Sequence, residues 1–495
     1  MNSENKSFKA FLLVFLSAFG FLVSFIAAPF LARALTLEDN GIYNQAILVI
    51  DIAFMLFAVG IGNVTYLYLK RKSFDPYQVF GTNLLLASIL GFTASIVIFI
   101  LSGFFATHFN APELAFYLKV YCFVIPFKFM LGVSEAVVLL FGRMKAYTYR
   151  GIIMTVLNTT SLILIIQVYN SLKLVFIAFL VLSIVQLAYS IVLVPKVFFK
   201  NISFEKTLGL RMLKEGSLLA VNGIFGRATL LMDKTVVSSM LNPAQYALYK
   251  NGAIEIPFFS GIYRTVSTLV LPEVASYFSE GKFTEIVRLK RKVITNTAFL
   301  VYPVMIFLLF FNDRFIFIYL SERYIETVPV FTIFNLTLLI RINNYGEVLL
   351  AAGKYKLNLK VSVLGFVFGV LGNIIFIYFF GFIGAAVSTL LTIFFVALVN
   401  LYYSSKLIHC SLFDFFDLIF LFKLLAIAVS TALLLRILPV DTFKLINFVA
   451  VGVIYSIIVY FIALRYLMKD KSVIIGILTR FPLVGIQMKR LVEKW

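Results

Sequence analysis

A few ionisable side chains stand inside otherwise apolar stretches of this chain, and they are the residues through which it could do chemistry. The cations are Lys128, Arg227, Lys234, Arg264 and Arg341, with Lys250 nearer a helix end. The anions are Asp51, Glu135, Asp233, Glu255 and Glu347. A charge at bilayer depth costs about 2.5–3.5 kcal/mol on insertion scales, so such residues are functional candidates by default. Arg227 and Lys234 are seven apart and share one helix face. Lys250, Pro257 and Arg264 repeat that interval, as do Lys128 and Glu135.

The chemistry that fits is anion binding. A guanidinium grips phosphate oxygens in bidentate fashion, and an ammonium acts as a point charge. Arg227, Lys234, Arg264, Arg341 and Lys128 are therefore candidate substrate-binding residues. Asp51, Glu255 and Glu347 are candidates for ion coupling, to H+ or Na+. A structural reading stands beside this one: the two signs are nearly equal in number and could neutralise each other between helices. Pro29 and Pro257 are candidate hinges, with a fixed kink as the alternative. No catalytic constellation is expected. His108 and His409 fall on opposite sides of the membrane, which argues against a His-based triad or metal site. No Gly-rich phosphate loop ending in Lys-Ser/Thr is present. We expect no enzyme activity, no metal and no cofactor. The driving force is then an ion gradient, the membrane potential or downstream consumption of product.

The elements that position these residues are apolar helices. The chain has 495 residues, 62% of them hydrophobic and only 13% charged, with a mean hydropathy of +1.01. A helical span needs about 20 apolar residues, and such runs recur from end to end without the alternation of a membrane β-barrel. We place about fourteen spans, at 8–34, 42–69, 79–106, 114–141, 149–169, 172–198, 216–240, 245–276, 290–311, 326–352, 357–380, 382–405, 415–438 and 444–467. The N-terminal apolar run is too long for a signal peptide and reads as the first span. The formal charge of +20 comes from basic loops that alternate with nearly neutral ones. That pattern argues for both termini in the cytoplasm and against a nucleic-acid partner. Cys122 and Cys410 fall in different environments, so no disulfide is expected. The tail 468–495 reads as an amphipathic piece on the inner surface.

An internal repeat is visible. Ala34–Tyr43 and Met240–Tyr249, 206 residues apart, each end one helix, turn through polar residues and open the next on an aliphatic-Tyr pair. Phe141–Lys145 and Ala352–Lys356, 211 apart, are small basic turns. Two near-equal offsets divide the chain into a six-helix bundle with its connecting loop at 1–215, a second six-helix bundle at 216–410, two added helices at 411–467, and the tail.

Leu31–Leu35 with Glu38–Tyr43, Met232-Asp233-Lys234 with Ala247-Leu248-Tyr249, and Gly381–Thr389 resemble stretches of polysaccharide-type (O-antigen or capsule repeat-unit) flippases. These belong to the multidrug/oligosaccharidyl-lipid/polysaccharide exporter superfamily. The resemblance covers the whole chain with loose motifs. It implies an all-α membrane protein of two six-helix bundles in a V around a central cavity, with two C-terminal helices added. It further implies a multi-pass protein of the cytoplasmic (inner) membrane. Such a protein moves an undecaprenyl-diphosphate-linked oligosaccharide from the inner to the outer leaflet by alternating access, for surface polysaccharides such as lipopolysaccharide O-antigen. Membrane lipids, a glycan polymerase and chain-length machinery would be its partners. No family-wide binding signature is visible in this sequence, which leaves the sugar open. The competing readings are a cation-coupled multidrug efflux transporter of the same superfamily, a membrane-embedded glycan polymerase or ligase, and a scaffold.

Overall fold

Apolar runs set where helices form, and short polar residues set where they start. Thr36 caps α2 (Leu37–Phe57) by accepting from the Asp39 N–H at 3.0 Å. Asp75 caps α4 (Pro76–His108), whose first residue is proline. Ser171 caps α8 (Leu172–Leu193), and Asp417 caps α18 (Leu418–Ile437). These side chains satisfy N–H groups that the first helical turn leaves unpaired.

A computed structural model describes residues 3–58, 60–71, 74–141 and 143–467. The expected amphipathic tail 468–495 lies outside them. In chain order the helices begin with α1 (Ser3–Ala34), α2, α3 (Ile61–Lys70), α4, α5 (Leu114–Tyr121), α6 (Val124–Leu140), α7 (Met144–Tyr169) and α8. They continue with α9 (Lys196–Lys200), α10 (Lys206–Met240), α11 (Pro243–Gly252), α12 (Pro257–Ser279), α13 (Phe283–Phe310) and α14 (Asn312–Tyr319). Last come α15 (Val328–Leu336), α16 (Glu347–Ala351), α17 (Tyr355–Leu407), α18 and α19 (Leu445–Tyr466). No strand occurs among the described residues.

The protein is a multi-pass membrane protein. Among the described residues, nine helical stretches are long and apolar enough to cross a bilayer. The other expected spans fall on α1, on the more charged α10, on two interrupted stretches, and on the second arm of α17. That last helix runs for 53 residues but is not one span, because Gly381 breaks it with φ 58° and ψ −144°. A Cβ on Gly384 would lie 1.9 Å from the Phe376 carbonyl oxygen, so the chain folds back there and glycine is required.

Three further expected spans are interrupted. Gly60, with φ +64°, separates α2 from α3. The expected continuous helix 245–276 is broken at 253–256. Ile256 precedes Pro257 and is extended there, the conformation a following proline imposes. Pro257 therefore opens α12 rather than kinking a continuous span. The expected helix 326–352 gives way to turns over 340–346. In the opposite sense, α10 and α13 begin earlier than hydropathy alone places them, because the charged segments that precede their apolar runs are helical too.

The chain divides into two compact units: Met1–Asn251 with Phe366–Ala385, and Gly252–Gly365 with Ala386–Trp495. This grouping by packing does not follow the repeat boundaries at 215 and 410. The paired turns nevertheless close alike. Asn242 caps α11 by accepting from the Gln245 N–H at 2.9 Å, as Thr36 does from Asp39. The Arg143 N–H reaches the Val138 carbonyl at 3.2 Å, and the Lys354 N–H reaches that of Leu349 at 2.9 Å. Both are helix-closing bonds of the same span.

In the first unit the connections gather at two ends. At one end the Arg71 guanidinium meets Glu215 at 3.1 Å, the Glu205 N–H meets Thr82, and Arg143 donates to the Leu193 carbonyl. At the other, Gln45 donates to the Phe109 carbonyl, Asn251 donates to Asn40, and Gly41 packs on Pro243. Successive spans therefore run in opposite directions through this unit.

A Cβ on Gly41 would sit 1.9 Å from the Pro243 carbonyl oxygen, whereas one on Gly103 meets nothing within 4 Å. Gly41→Ala should therefore lower the midpoint of thermal unfolding, at a cost of about 1–3 kcal/mol. Gly103→Ala in α4 should be neutral or slightly stabilising. Equal behaviour of the two variants would show that the close approach is not a constraint.

Candidate functional site

The first unit brings a cation cluster together. Asp51 lies in the middle of α2, with Lys128 of α6, Lys234 and Arg227 of α10, and Lys250 of α11 all within electrostatic reach. Helix geometry explains the meeting. Asp51, Lys128 and Arg227 each lie roughly 20 Å along their helices from the end where Leu37, Leu114 and Met240 stand, at 1.5 Å per residue. Lys234 and Lys250 are roughly 10 Å from that same end, on either side of the turn between α10 and α11.

Exposure separates these side chains. Asp51, Lys128 and Arg227 are exposed, and Lys234 and Lys250 are half-buried. The Lys128 ammonium stands 5.6 Å from the centre of the Phe54 ring, one turn from Asp51 on α2, a cation–π distance. Asp233 is buried and accepts from the Tyr249 hydroxyl at 2.7 Å. Its other oxygen accepts from the Lys234 backbone N–H at 2.8 Å, so a hydroxyl and an amide, rather than an ammonium, satisfy this carboxylate. Among the described residues the ion pairs of this unit join Arg71 and Arg211 to Glu215, and Arg150 to Glu135. None involves Lys128, Arg227, Lys234 or Lys250. Four cations face two carboxylates, one of which is already hydrogen-bonded. The group therefore carries positive charge in excess.

The second unit handles its charges differently. Arg341 donates to Glu255 at 2.5 Å, so these two candidates neutralise each other. Glu347 pairs with Lys290 at 2.6 Å, and the two side chains are 1% and 2% exposed. Glu135 similarly takes Arg150 rather than Lys128, its neighbour on the same helix face. The structural reading of the sequence thus holds for these three carboxylates. Arg264 lies on α12, but its side chain is outside those described, as is that of Pro257. Pro29 lies within α1.

Comparison with known proteins gives the same architecture. Residues 30–329 match the family model described as polysaccharide biosynthesis protein. The chain belongs to the polysaccharide biosynthesis protein family. It is 21% identical over 394 residues to the capsular polysaccharide biosynthesis protein CapF of Staphylococcus aureus, covering 78% of this chain and 95% of that one. Among solved structures it is similar to the lipid II flippase MurJ in an inward closed conformation. The TM-score is 0.71 at 15% identity, over 92% of this chain and 99% of that one. It is also similar to an inward-facing multidrug resistance MATE family transporter, with a TM-score of 0.60 at 14% identity, over 80% and 98% of the two chains. The all-helical fold is of the MurJ/MATE type.

In this family member, sequence reasoning found most of the cluster and missed one buried cation. Lys290 belongs to the basic run Arg288–Lys292 at the start of the expected span 290–311; α13 extends back through that run, and this lysine turns inward. Asn343-Asn344-Tyr345-Gly346 is a turn-forming run that could have flagged the break facing it.

Asp51 offsets the cluster's positive charge. Asp51→Asn should therefore tighten binding of inorganic pyrophosphate to the purified protein by roughly fivefold, from about 1 kcal/mol of removed repulsion. Isothermal titration at low salt measures this. Weaker binding would mean that Asp51 is not facing the anion.

Proposed function

We propose that the protein is a flippase that carries an undecaprenyl-diphosphate-linked oligosaccharide from the inner to the outer leaflet of the cytoplasmic membrane, for assembly of a surface polysaccharide. The observation that carries this reading is the surplus of cations around Asp51, with Lys128 and Arg227 at its own depth and Lys234 and Lys250 nearer one end. A lipid diphosphate leaving the interface loses the hydration of its charges, and Lys128, Arg227, Lys234 and Lys250 offer replacement contacts. The polyprenyl tail needs no protein path, since it remains among the lipids. Alternating exposure of the cluster to the two sides would complete transfer. Basic connections at one end of the first unit fit a cytoplasmic placement of both termini.

Family membership and the resemblance to a named lipid II flippase support the same reading. A cationic drug would be repelled by this cluster, which argues against the multidrug alternative. Asp51 is the carboxylate best placed to sense a coupling proton, since Glu255 and Glu347 are held by Arg341 and Lys290. A glycan polymerase working on the same lipid-linked units would be the natural consumer of the product.

Leaflet exchange of a fluorescent lipid-diphosphate sugar in proteoliposomes tests the proposal. Arg227→Ala and Lys234→Ala should each slow exchange about 10- to 100-fold, the loss expected for one charge-assisted hydrogen bond. Arg288→Ala, which removes an exposed pair with Glu285, should leave it unchanged. Normal exchange by a folded triple variant lacking Lys128, Arg227 and Lys234 would remove the cluster from the mechanism.

A further inference from the structure

The second unit contains a charge arrangement that this reading does not use. In the run Arg288–Lys292, Arg288 is 76% exposed and Arg291 donates to the Asp414 carbonyl. Lys290 instead turns into the unit, against the interrupted stretch 340–346. Its ammonium donates to Asn343 Oδ1 at 2.7 Å, to the Asn344 carbonyl at 2.9 Å and to Glu347 Oε2 at 2.6 Å. A lysine ammonium has three protons, and each has an acceptor here. The second Glu347 oxygen accepts from Ser267 Oγ of α12 at 2.6 Å. Ser267 Oγ in turn accepts from Asn344 Nδ2 at 3.3 Å.

The acceptor set consists of a carboxylate, a side-chain amide oxygen and a backbone carbonyl freed by unwinding. These are oxygens of the types that also bind small monovalent cations. Interrupted membrane helices present unwound carbonyls in this way when they bind Na+. Asn343 is 5% exposed, and its Nδ2 has no partner among the described residues. Its amide presents oxygen to the ammonium. Ser404 of α17 fixes the same turn by donating to the Tyr345 carbonyl at 3.1 Å, so the acceptors are held in place from outside the turn.

We propose that the Lys290 ammonium is a tethered cation that fills a monovalent-cation site built by Asn343, Asn344 and Glu347. The chain supplies the positive charge that such a site otherwise draws from solution, and the second unit requires no free Na+ or K+ there. Shortening the side chain vacates the site while leaving its oxygens in position. The proposal does not depend on which lipid is carried, and its test does not measure transport.

The full-length protein in detergent is followed by thermal unfolding in NaCl, KCl or choline chloride at equal ionic strength. Wild type should unfold at the same temperature in all three. Lys290→Ala should be destabilised in choline and regain several degrees in Na+ or K+, rising with the logarithm of cation concentration. Lys290→Met fills the space with an uncharged arm and should show no rescue. Lys290→Ala combined with Glu347→Gln should lose the cation dependence, since the carboxylate is gone. The proposal fails if Lys290→Ala behaves alike in choline, Na+ and K+, including the case in which it folds in none of them. It also fails if wild type shows the same cation-specific shift.

Discussion

A charge inside an apolar helix bundle needs an opposite charge, a set of fixed dipoles, or water. Each unmatched cation at mid-depth costs about 2.5–3.5 kcal/mol. The two units meet this constraint in different ways. In the second, Lys290 is enclosed by Glu347, Asn343 and Asn344, and Arg341 is held by Glu255. In the first, Lys128 and Arg227 are exposed beside a single exposed carboxylate. The second unit's charges are matched within it, whereas the first unit keeps positive charge in excess. The functional reading follows from that asymmetry.

Interruptions in the helices work with this charge distribution. The break at 253–256 places Glu255 outside regular helix, where it reaches Arg341. The turn over 340–346 frees the Asn344 carbonyl for Lys290. A continuous helix would have committed that oxygen to its own ladder. Gly60 and Gly381 occupy the positive φ that their breaks require. The sequence thus combines long apolar runs, which commit the chain to the membrane, with a few glycines and Asn-rich turns that open the backbone where polar contacts are made.

Much of the fold could be read directly. Apolar runs located the helices, and the alternation of basic loops anticipated the two ends at which connections of the first unit gather. The turns at 36–39 and 242–245 were marked by their polar residues, and the structure makes Thr36 and Asn242 their caps. The breaks were harder, because Ala253-Ile254-Glu255-Ile256 is as apolar as the helix it interrupts, and only the following Pro257 signals it. Of the candidate site residues, Asp51, Lys128, Arg227 and Lys234 do converge. Arg341, Glu255 and Glu347 were singled out as charges in apolar surroundings, but spacing along one helix cannot show a partner on another. Lys290 escaped notice for the opposite reason: it looked like one more residue of a solvated basic run.

The central claim is that the cations of the first unit face a polar space rather than lipid or a dry interior. With Cys122 and Cys410 replaced by Ala, single cysteines at positions 128 and 227 can be challenged in membranes with a charged, membrane-impermeant thiol reagent. A cysteine at Ile100, an apolar position of α4 that is 72% exposed, serves as the lipid-facing control. Both cluster positions should react, and pyrophosphate should slow them, while position 100 stays inert. If positions 128 and 227 are as unreactive as position 100, the cluster is not open to an aqueous headgroup and the account is wrong.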